Sequence, residues 1–344
     1  MLKRPNLQPS FAVPVVAQSG PAPSPVLDPT APLIFVINAA SGRHDTDATR
    51  LAIERELAEA GRTGVILQAR PDELVRTAKE AAATAVAQRT AVVAVGGDGT
   101  INAVAQAAHA QGCAMGVVPQ GTFNYFARTH GLPTDAAEAT RALLLCSALP
   151  VQVGMVNDRV FLVNASLGLY PELLEDREAY KARFGRSRLV ALLSTVATLL
   201  GAHRQLHLRI ERGNEVRDVV TPTLFVGNNR LQLEQVGLAE AIAVEQGSIA
   251  AVMLRPISTL AMFGLLFRGA LGTLGEAGSV ESFQFRRILV KLRPALGTRM
   301  IKVAFDGEVS RMRPPLEFRV SDRPLYVLKA PGEQRPEHRD SDKA

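Results

Sequence analysis

The sequence contains no tryptophan and only two cysteines, Cys113 and Cys146, in 344 residues. Both lie in apolar surroundings. A disulfide scaffold and a cysteine-built metal centre are therefore excluded, and a reducing cytoplasm is the expected setting. The six histidines are scattered and never fall at metal-ligand spacing. No run reaches the ~18 apolar residues of a membrane-spanning helix. The nearest stretches, 189–200 and 257–274, are interrupted by Ser194 and Thr195 and by Arg268 and glycines. No apolar segment near the start reads as a signal peptide. The chain also lacks a Cys/His finger, an aromatic RNA-binding motif and a basic heptad repeat. A nucleic-acid partner is therefore not expected, although the net charge is +6.

That charge still favours anionic partners such as nucleotide phosphates or acidic lipid headgroups. Much of it is diffuse. Arg183, Arg186 and Arg188 form one cluster, and Arg286, Arg287, Lys291 and Arg293 another. The length predicts two domains. Residues 1–31 are rich in Pro, Ala and Ser and read as a disordered lead-in. Residues 331–344 read as a loose, charged tail.

Between them, short apolar runs alternate with helical patterns. Strands are predicted at 33–37, 65–67, 91–95 and 115–118, and helices at 47–60, 72–88 and 101–110. Asp135 with Glu138 forms a capping box for a further helix to residue 147. This alternation predicts a parallel α/β sheet over 32–150. The texture then changes. Residues 151–156 and 160–163 flank Asn157-Asp158 like a hairpin, and strand patterns follow at 206–211, 219–226, 248–254, 282–285, 288–292, 300–305, 316–320 and 325–328. An antiparallel β-rich domain is predicted over 151–330, its last strands able to return to the first domain. Helical inserts are expected at 174–202 and 257–274.

One stretch carries chemistry. Residues 92–102 read VVAVGGDGTIN, a strand that ends in three glycines around Asp98 before a helix begins. Backbone N–H groups point outward at such a place and the helix dipole is positive, so phosphate oxygens are held well. Glycine lets the ligand approach the backbone. Thr100 adds a hydroxyl and Asn102 orients the loop. Asp98 would repel a phosphate unless a cation intervenes or unless it accepts a proton. The spacing is neither that of a dinucleotide fingerprint nor that of a P-loop.

Gly96-Gly97-Asp98-Gly99-Thr100 resembles the signature shared by diacylglycerol kinases, sphingosine kinases and NAD kinases. Asn38-Ala39-Ala40-Ser41-Gly42 is similar to the N-P-x-S-G segment of the lipid-kinase branch. Residues 119–128, PQGTFNYFAR, resemble its P-x-G-T-x-N-D-F-A-R. Asn164-Ala165-Ser166-Leu167-Gly168-Leu169, Gly227-Asn228-Asn229 and Phe305-Asp306-Gly307-Glu308 match it in the same order. By this resemblance the chain looks like a member of the diacylglycerol kinase catalytic-domain family, close to bacterial diacylglycerol-kinase-like lipid kinases and related to sphingosine kinases. The resemblance implies a Rossmann-like α/β domain followed by a β-rich antiparallel sandwich, with ATP and Mg²⁺ in the cleft between them.

It also implies roles. Asn38, Ser41, Gly42, Arg43, Gly96, Gly97, Asp98, Gly99, Thr100, Asn102, Gly121, Thr122, Asn124, Arg188, Gly307 and Glu308 would bind nucleotide or shape its loops. Asp98 and Glu308 would face the metal. Asp306 is the base in one branch and the glycine-loop aspartate in the other, so Asp98 and Asp306 both stand as catalytic candidates. Asp306-Gly307 is by itself a hairpin-turn signal, which the resemblance overrides. The acceptor would be diacylglycerol or a related glycerolipid, met at a membrane surface, with 257–274 lining an acyl pocket or packing on its own sheet. A homodimer is compatible with the family. The chain departs from the pattern at Tyr125, where the family has Asp, and at Ala39, where it has Pro. No cation site is expected at 244–247. A soluble NAD kinase and a non-catalytic nucleotide- or lipid-binding regulator remain as alternatives.

Overall fold

A computed structural model of the chain describes residues 24–39, 46–169, 205–256, 277–293 and 300–330, with a few isolated positions besides. Ser41, Gly42, Arg43, Arg183, Arg186 and Arg188 lie outside the described residues. So do residues 1–23, the tail from 331, the expected helix at 174–202 and nearly all of 257–274.

The first unit alternates as its apolar runs predict. It contains β1 (Leu33–Asn38), α1 (Thr46–Glu59), β2 (Gly64–Ala69), α2 (Leu74–Ala87), β3 (Ala91–Gly96), α3 (Asp98–Gln111), β4 (Ala114–Pro119), α4 (Tyr125–Thr129) and α5 (Ala136–Leu145). Strand β1 pairs in parallel with β2 and β3, and β3 pairs in parallel with β4. β3 and β4 are buried along their whole length. Both faces are covered, so these strands read as continuous apolar runs instead of alternating ones. Ile53 and Leu57 of α1 and Leu143 of α5 pack against Phe35 and Val93 on one face. Ala78, Ala82 and Ala85 of α2 and Ile101, Val104 and Ala105 of α3 cover Ile34, Val36, Val92 and Ala94 on the other. Asp135 caps α5 and accepts the Glu138 N–H at 2.9 Å, as the capping pattern predicts.

The chain continues through β5 (Ser147–Val151), β6 (Gly154–Val156), β7 (Arg159–Phe161), β8 (Asn164–Gly168), β9 (Leu206–Arg212), β10 (Glu215–Thr221) and β11 (Thr223–Gly227). Then come α6 (Arg230–Gln235), α7 (Ala241–Glu245), β12 (Ile249–Leu254), β13 (Val280–Phe285), β14 (Arg287–Leu292), β15 (Ile301–Phe305), β16 (Glu308–Met312), β17 (Leu316–Val320) and β18 (Leu325–Lys329). Two six-stranded sheets result, ordered β10-β9-β14-β17-β6-β7 and β13-β12-β11-β8-β15-β16. Every pairing within them is antiparallel. Their facing sides share one apolar core that includes Phe161, Leu167, Leu208, Leu224, Ile288, Val303 and Phe318. The fold is thus an α/β unit with a mostly parallel sheet followed by antiparallel β-rich sheets.

The last strand leaves this layer. β18 inserts into the first sheet between β4 and β5, parallel to β4 and antiparallel to β5. Tyr326, Val327 and Leu328 are buried there. Several details differ from the sequence expectation, among them the run 151–156, which divides between β5 and β6 in different sheets, and the helix expected to 147, which ends at Leu145. The run 219–226 splits into β10 and β11 around Pro222, which has no N–H for a ladder. Strand β16 was hidden by its polar residues. Helix α3 begins at Asp98, so that residue belongs to the first helical turn and not to a free loop. None of the described helices is long and apolar enough to cross a membrane.

Candidate active site

Two glycine turns meet back to back at the ends of β3 and β4. The Gln120 N–H donates to the Gly96 carbonyl at 2.8 Å. A Cβ on Gly121 would stand 3.0 Å from the Gly97 Cα, and one on Gly97 would stand 3.5 Å from the Gly121 Cα. Glycine at both positions lets the two backbones touch. Asn124 fixes the second turn: its Oδ1 accepts from the Gly121 N–H and its Nδ2 donates to the Gly121 carbonyl, both at 2.9 Å. It does so with φ +48, a left-handed conformation that Asn tolerates. Thr122 beside it is exposed.

Thr100 and Asn38 form the floor. Thr100 is buried, and its Oγ1 accepts from Asn38 Nδ2 at 3.2 Å. Its side chain fills the space that a Cβ on Gly96 would need, at 2.5 Å. The Thr100 hydroxyl is thereby turned toward Asn38 at the end of β1. The pair joins the end of β1 to the first turn of α3, at the edge of the parallel sheet where α/β folds bind ligands.

Asp306 comes from the far part of the chain. The two-residue turn Asp306-Gly307 joins β15 to β16, with Phe305 opposite Glu308. Both turn residues have positive φ, +47 and +89, the geometry that selects Asp-Gly in tight hairpins. The hairpin signal in the sequence is therefore real, and the aspartate is also turned inward. Its Oδ1 accepts from the backbone N–H of Val163 at 2.8 Å and Asn164 at 3.0 Å. Its Oδ2 accepts from Leu162 N–H at 2.7 Å and Asn102 Nδ2 at 2.6 Å. Four donors fill the four lone-pair directions of one carboxylate. Burial pushes its pKa up to about 6, although every one of those donors pulls it down.

Asn102 was expected to orient the glycine loop. It instead spans outward from α3, donating to Asp306 and to the Val160 carbonyl at 3.0 Å. Gln106, one turn on, accepts from the Val160 N–H at 2.7 Å. Helix α3 is thus sewn to β7 by two side chains that bond both polar groups of one residue. The backbone donors at 162–164 and the partner Gln106 were invisible in the sequence, because they depend on which segment folds back onto α3.

Asp98 is the opposite case to Asp306. It is half-buried, and its Oδ1 has no hydrogen-bond partner. Burial raises its pKa, with the backbone N–H groups of Asn124 and Tyr125 pulling the other way. Glu308 comes to the same place: a Cβ on Gly99 would stand 2.9 Å from its Oε1. Burial raises the Glu308 carboxyl too, against the nearby Arg159 guanidinium. Two carboxylates above their ordinary range at one glycine turn are the donor set a hard cation neutralises. Among the described residues no three His, Cys, Asp or Glu side chains gather as a metal cage. Two carboxylates are enough for Mg²⁺, which commonly rests on one or two of them and on substrate phosphates.

The described site thus brings together Asn38, Gly96, Gly97, Asp98, Gly99, Thr100, Asn102, Gly121, Thr122, Asn124, Asp306, Gly307 and Glu308. Residues 32–156 match the family model described as diacylglycerol kinase catalytic domain. The chain is 30% identical over 165 residues to the "Probable lipid kinase YegS-like" of Serratia proteamaculans (strain 568), covering 46% of this chain and 52% of that protein. It is 36% identical over 84 residues to the "Diacylglycerol kinase" of Staphylococcus carnosus (strain TM300), covering 24% of this chain and 28% of that one. The chain therefore spans from about a quarter to about half the length of these curated relatives. A crystal structure of a diacylglycerol kinase from Bacillus anthracis str. Sterne shares the fold with a TM-score of 0.64 at 18% identity, over 88% of this chain and 98% of that one. Over residues 32–156 the chain is thus similar to diacylglycerol kinase catalytic domains.

Proposed function

We propose that the chain is an ATP-dependent lipid kinase that transfers the γ-phosphate to the hydroxyl of diacylglycerol or a related glycerolipid, in a cleft between the α/β unit and the β-rich sheets. The observation that carries this reading is the unpartnered, buried carboxylate oxygen of Asp98 beside a cradle of touching glycine backbones. A phosphoryl-transfer site needs phosphate positioning, charge neutralisation and a group to take the hydroxyl proton. Gly97, Gly99, Gly121 and the N-terminus of α3 supply the first. Glu308 would hold Mg²⁺, with Asp98 beside it, and the ion would offset the negative charge of the nucleotide phosphates. Asp98 has the free oxygen to accept the proton. Asp306 has none free, so its role in this reading is to position α3 and the 162–164 segment. Arg43 and Arg188 would add phosphate contacts. The acceptor is met at a membrane surface.

The test is purified protein with labelled ATP and a panel of diacylglycerol, monoacylglycerol, ceramide, sphingosine and NAD. Labelled phosphatidate or a related phospholipid is expected. NADP formation alone, or ATP binding with no labelled product on any acceptor, would overturn the reading.

The cradle gives a second prediction. Gly121→Ala places a methyl 2.7 Å from Asn124 Oδ1 and 3.0 Å from the Gly97 Cα, so the two turns must part. The KM for ATP is expected to rise about tenfold or more, equivalent to about 1.4 kcal/mol of lost binding. The KM for the lipid should stay within about twofold. An unchanged ATP KM in steady-state kinetics would remove this turn from the nucleotide site.

A further inference from the structure

Among the described residues five buried side-chain atoms have no hydrogen-bond partner: Arg62 Nε, Asp98 Oδ1, Asn164 Oδ1, Ser166 Oγ and Gln205 Oε1. Two of them are neighbours on one face of one strand. Ala165 and Leu167 of β8 point into the core between the two antiparallel sheets. Side chains alternate along a strand, so Asn164 and Ser166 share the outer face. Asn164 is 3% exposed and Ser166 0%. An unmade hydrogen bond inside a protein is costly, and buried polar groups are almost always satisfied. Alanine at position 166 would serve the fold better than serine does.

Ser166 stands opposite Phe225 on β11 and Ala304 on β15, and Asn164 stands opposite Gly227. Asn164 is also held in place. Its Nδ2 donates to Gln232 Oε1 at 3.0 Å, which leaves its carbonyl oxygen as the free end. Its backbone N–H donates to Asp306 at 3.0 Å, and Asp306 is bonded to Asn102 on α3, the helix that starts at Asp98. Asn164 is therefore linked through Asp306 to α3, and Ser166 lies two residues further along the same face of β8.

We propose that Asn164 Oδ1 and Ser166 Oγ form a subsite for the polar head of the acceptor, resting on the lipid-kinase reading above. Asn164 Oδ1 only accepts hydrogen bonds, so it takes a hydroxyl. Ser166 Oγ donates as well, so it takes an ester or ether oxygen. A glycerol backbone with one free hydroxyl and one acyl ester presents that combination. Ser166 is fully enclosed, so the acceptor reaches it only when the outer face of this sheet opens.

The test uses Ser166→Ala in the full chain, with three readouts against wild type. The first is Tm without ligand, expected to rise by about 2–4 °C because an unsatisfied buried hydroxyl is gone. The second is the increase in Tm on adding soluble dioctanoylglycerol, expected to be present in wild type and reduced in the variant. The third is kinetics, with the KM for diacylglycerol raised about tenfold for one lost hydrogen bond and the KM for ATP unchanged. A lower Tm in the variant would mean that the hydroxyl is satisfied by a buried water and serves the fold. An unchanged response to dioctanoylglycerol would overturn the subsite as well. The binding readout does not depend on turnover. A wild-type chain that binds dioctanoylglycerol through Ser166 and phosphorylates nothing sinks the kinase reading and leaves the subsite standing.

Discussion

Asp98→Asn is expected to lower kcat for lipid phosphorylation about 10²–10⁴-fold, the range a positioned general base supplies, without weakening the fold. The two halves of this expectation come from one fact. Asp98 Oδ1 is buried without a partner, and burial holds its carboxyl above the ordinary 3.8. A group whose pKa is raised by folding contributes stability below its unfolded pKa and loses that contribution as the pH rises through the folded value. At pH 7–8 the ionised Asp98 is therefore a net cost to the fold, moderated by its place in the first turn of α3, where the helix dipole favours an anion. Removing the charge should leave Tm equal or higher.

Activity needs the ionised form, so the acid limb of kcat/KM should lie above the usual carboxylate range. In Asp98→Asn that limb should vanish or reduce to the one set by Glu308, whose carboxyl is also raised. The two groups share a site, so the wild-type limb belongs to the pair. A pH-rate profile and a thermal melt on the same two preparations check this. A variant with wild-type kcat, or one that loses activity only because it melts early, would contradict the assignment.

The sequence disclosed the frame of this site and hid its wiring. Strands β1, β3 and β4 were legible because both faces of the parallel sheet are covered, which leaves uninterrupted apolar runs. Gly96, Gly97, Asp98 and Gly99 were legible because a strand, glycines and a helix in that order have few uses. Asp306-Gly307 was legible twice, as a turn and as a family segment, and the structure shows that the turn is what aims the aspartate. What the sequence withheld depends on distant segments. The amide of Asn102 reaches a residue 204 positions away. Thr100 spends its hydroxyl on Asn38, and its methyl-bearing side chain on the gap over Gly96. The return of β18 to the first sheet, by contrast, was open to the sequence, and its Tyr326, Val327 and Leu328 are buried there. Glu308 opens a strand whose polar residues disguised it, and its contact with Gly99 exists only once that hairpin has folded against α3.

Asp306 separates a base from an anchor, and two substitutions decide which it is. Asp306→Ala would leave the N–H groups of Leu162, Val163 and Asn164 and one amide hydrogen of Asn102 without their acceptor. Each orphaned buried donor costs about 1–3 kcal/mol, and alanine is also strained at φ +47. A loss of at least about 3 kcal/mol in denaturant unfolding is expected. Asn tolerates that φ and keeps one oxygen, so Asp306→Asn should lose less. The pH dependence follows from the raised carboxyl, from 3.8 to about 6. Its contribution to stability is complete below pH 3.8 and lost as the pH climbs through 6, on the order of 3 kcal/mol across that window. Both variants should lack this sloping component between pH 4 and 6. The catalytic outcome differs from that of Asp98. If Asp306 only positions α3 and the 162–164 segment, Asp306→Asn assayed well below its melting temperature should keep kcat within about tenfold of wild type, with the Asp98-dependent acid limb intact. A fall of 10²–10⁴-fold with loss of that limb would instead make Asp306 the proton acceptor. One of its four donors would then have to release it each turnover.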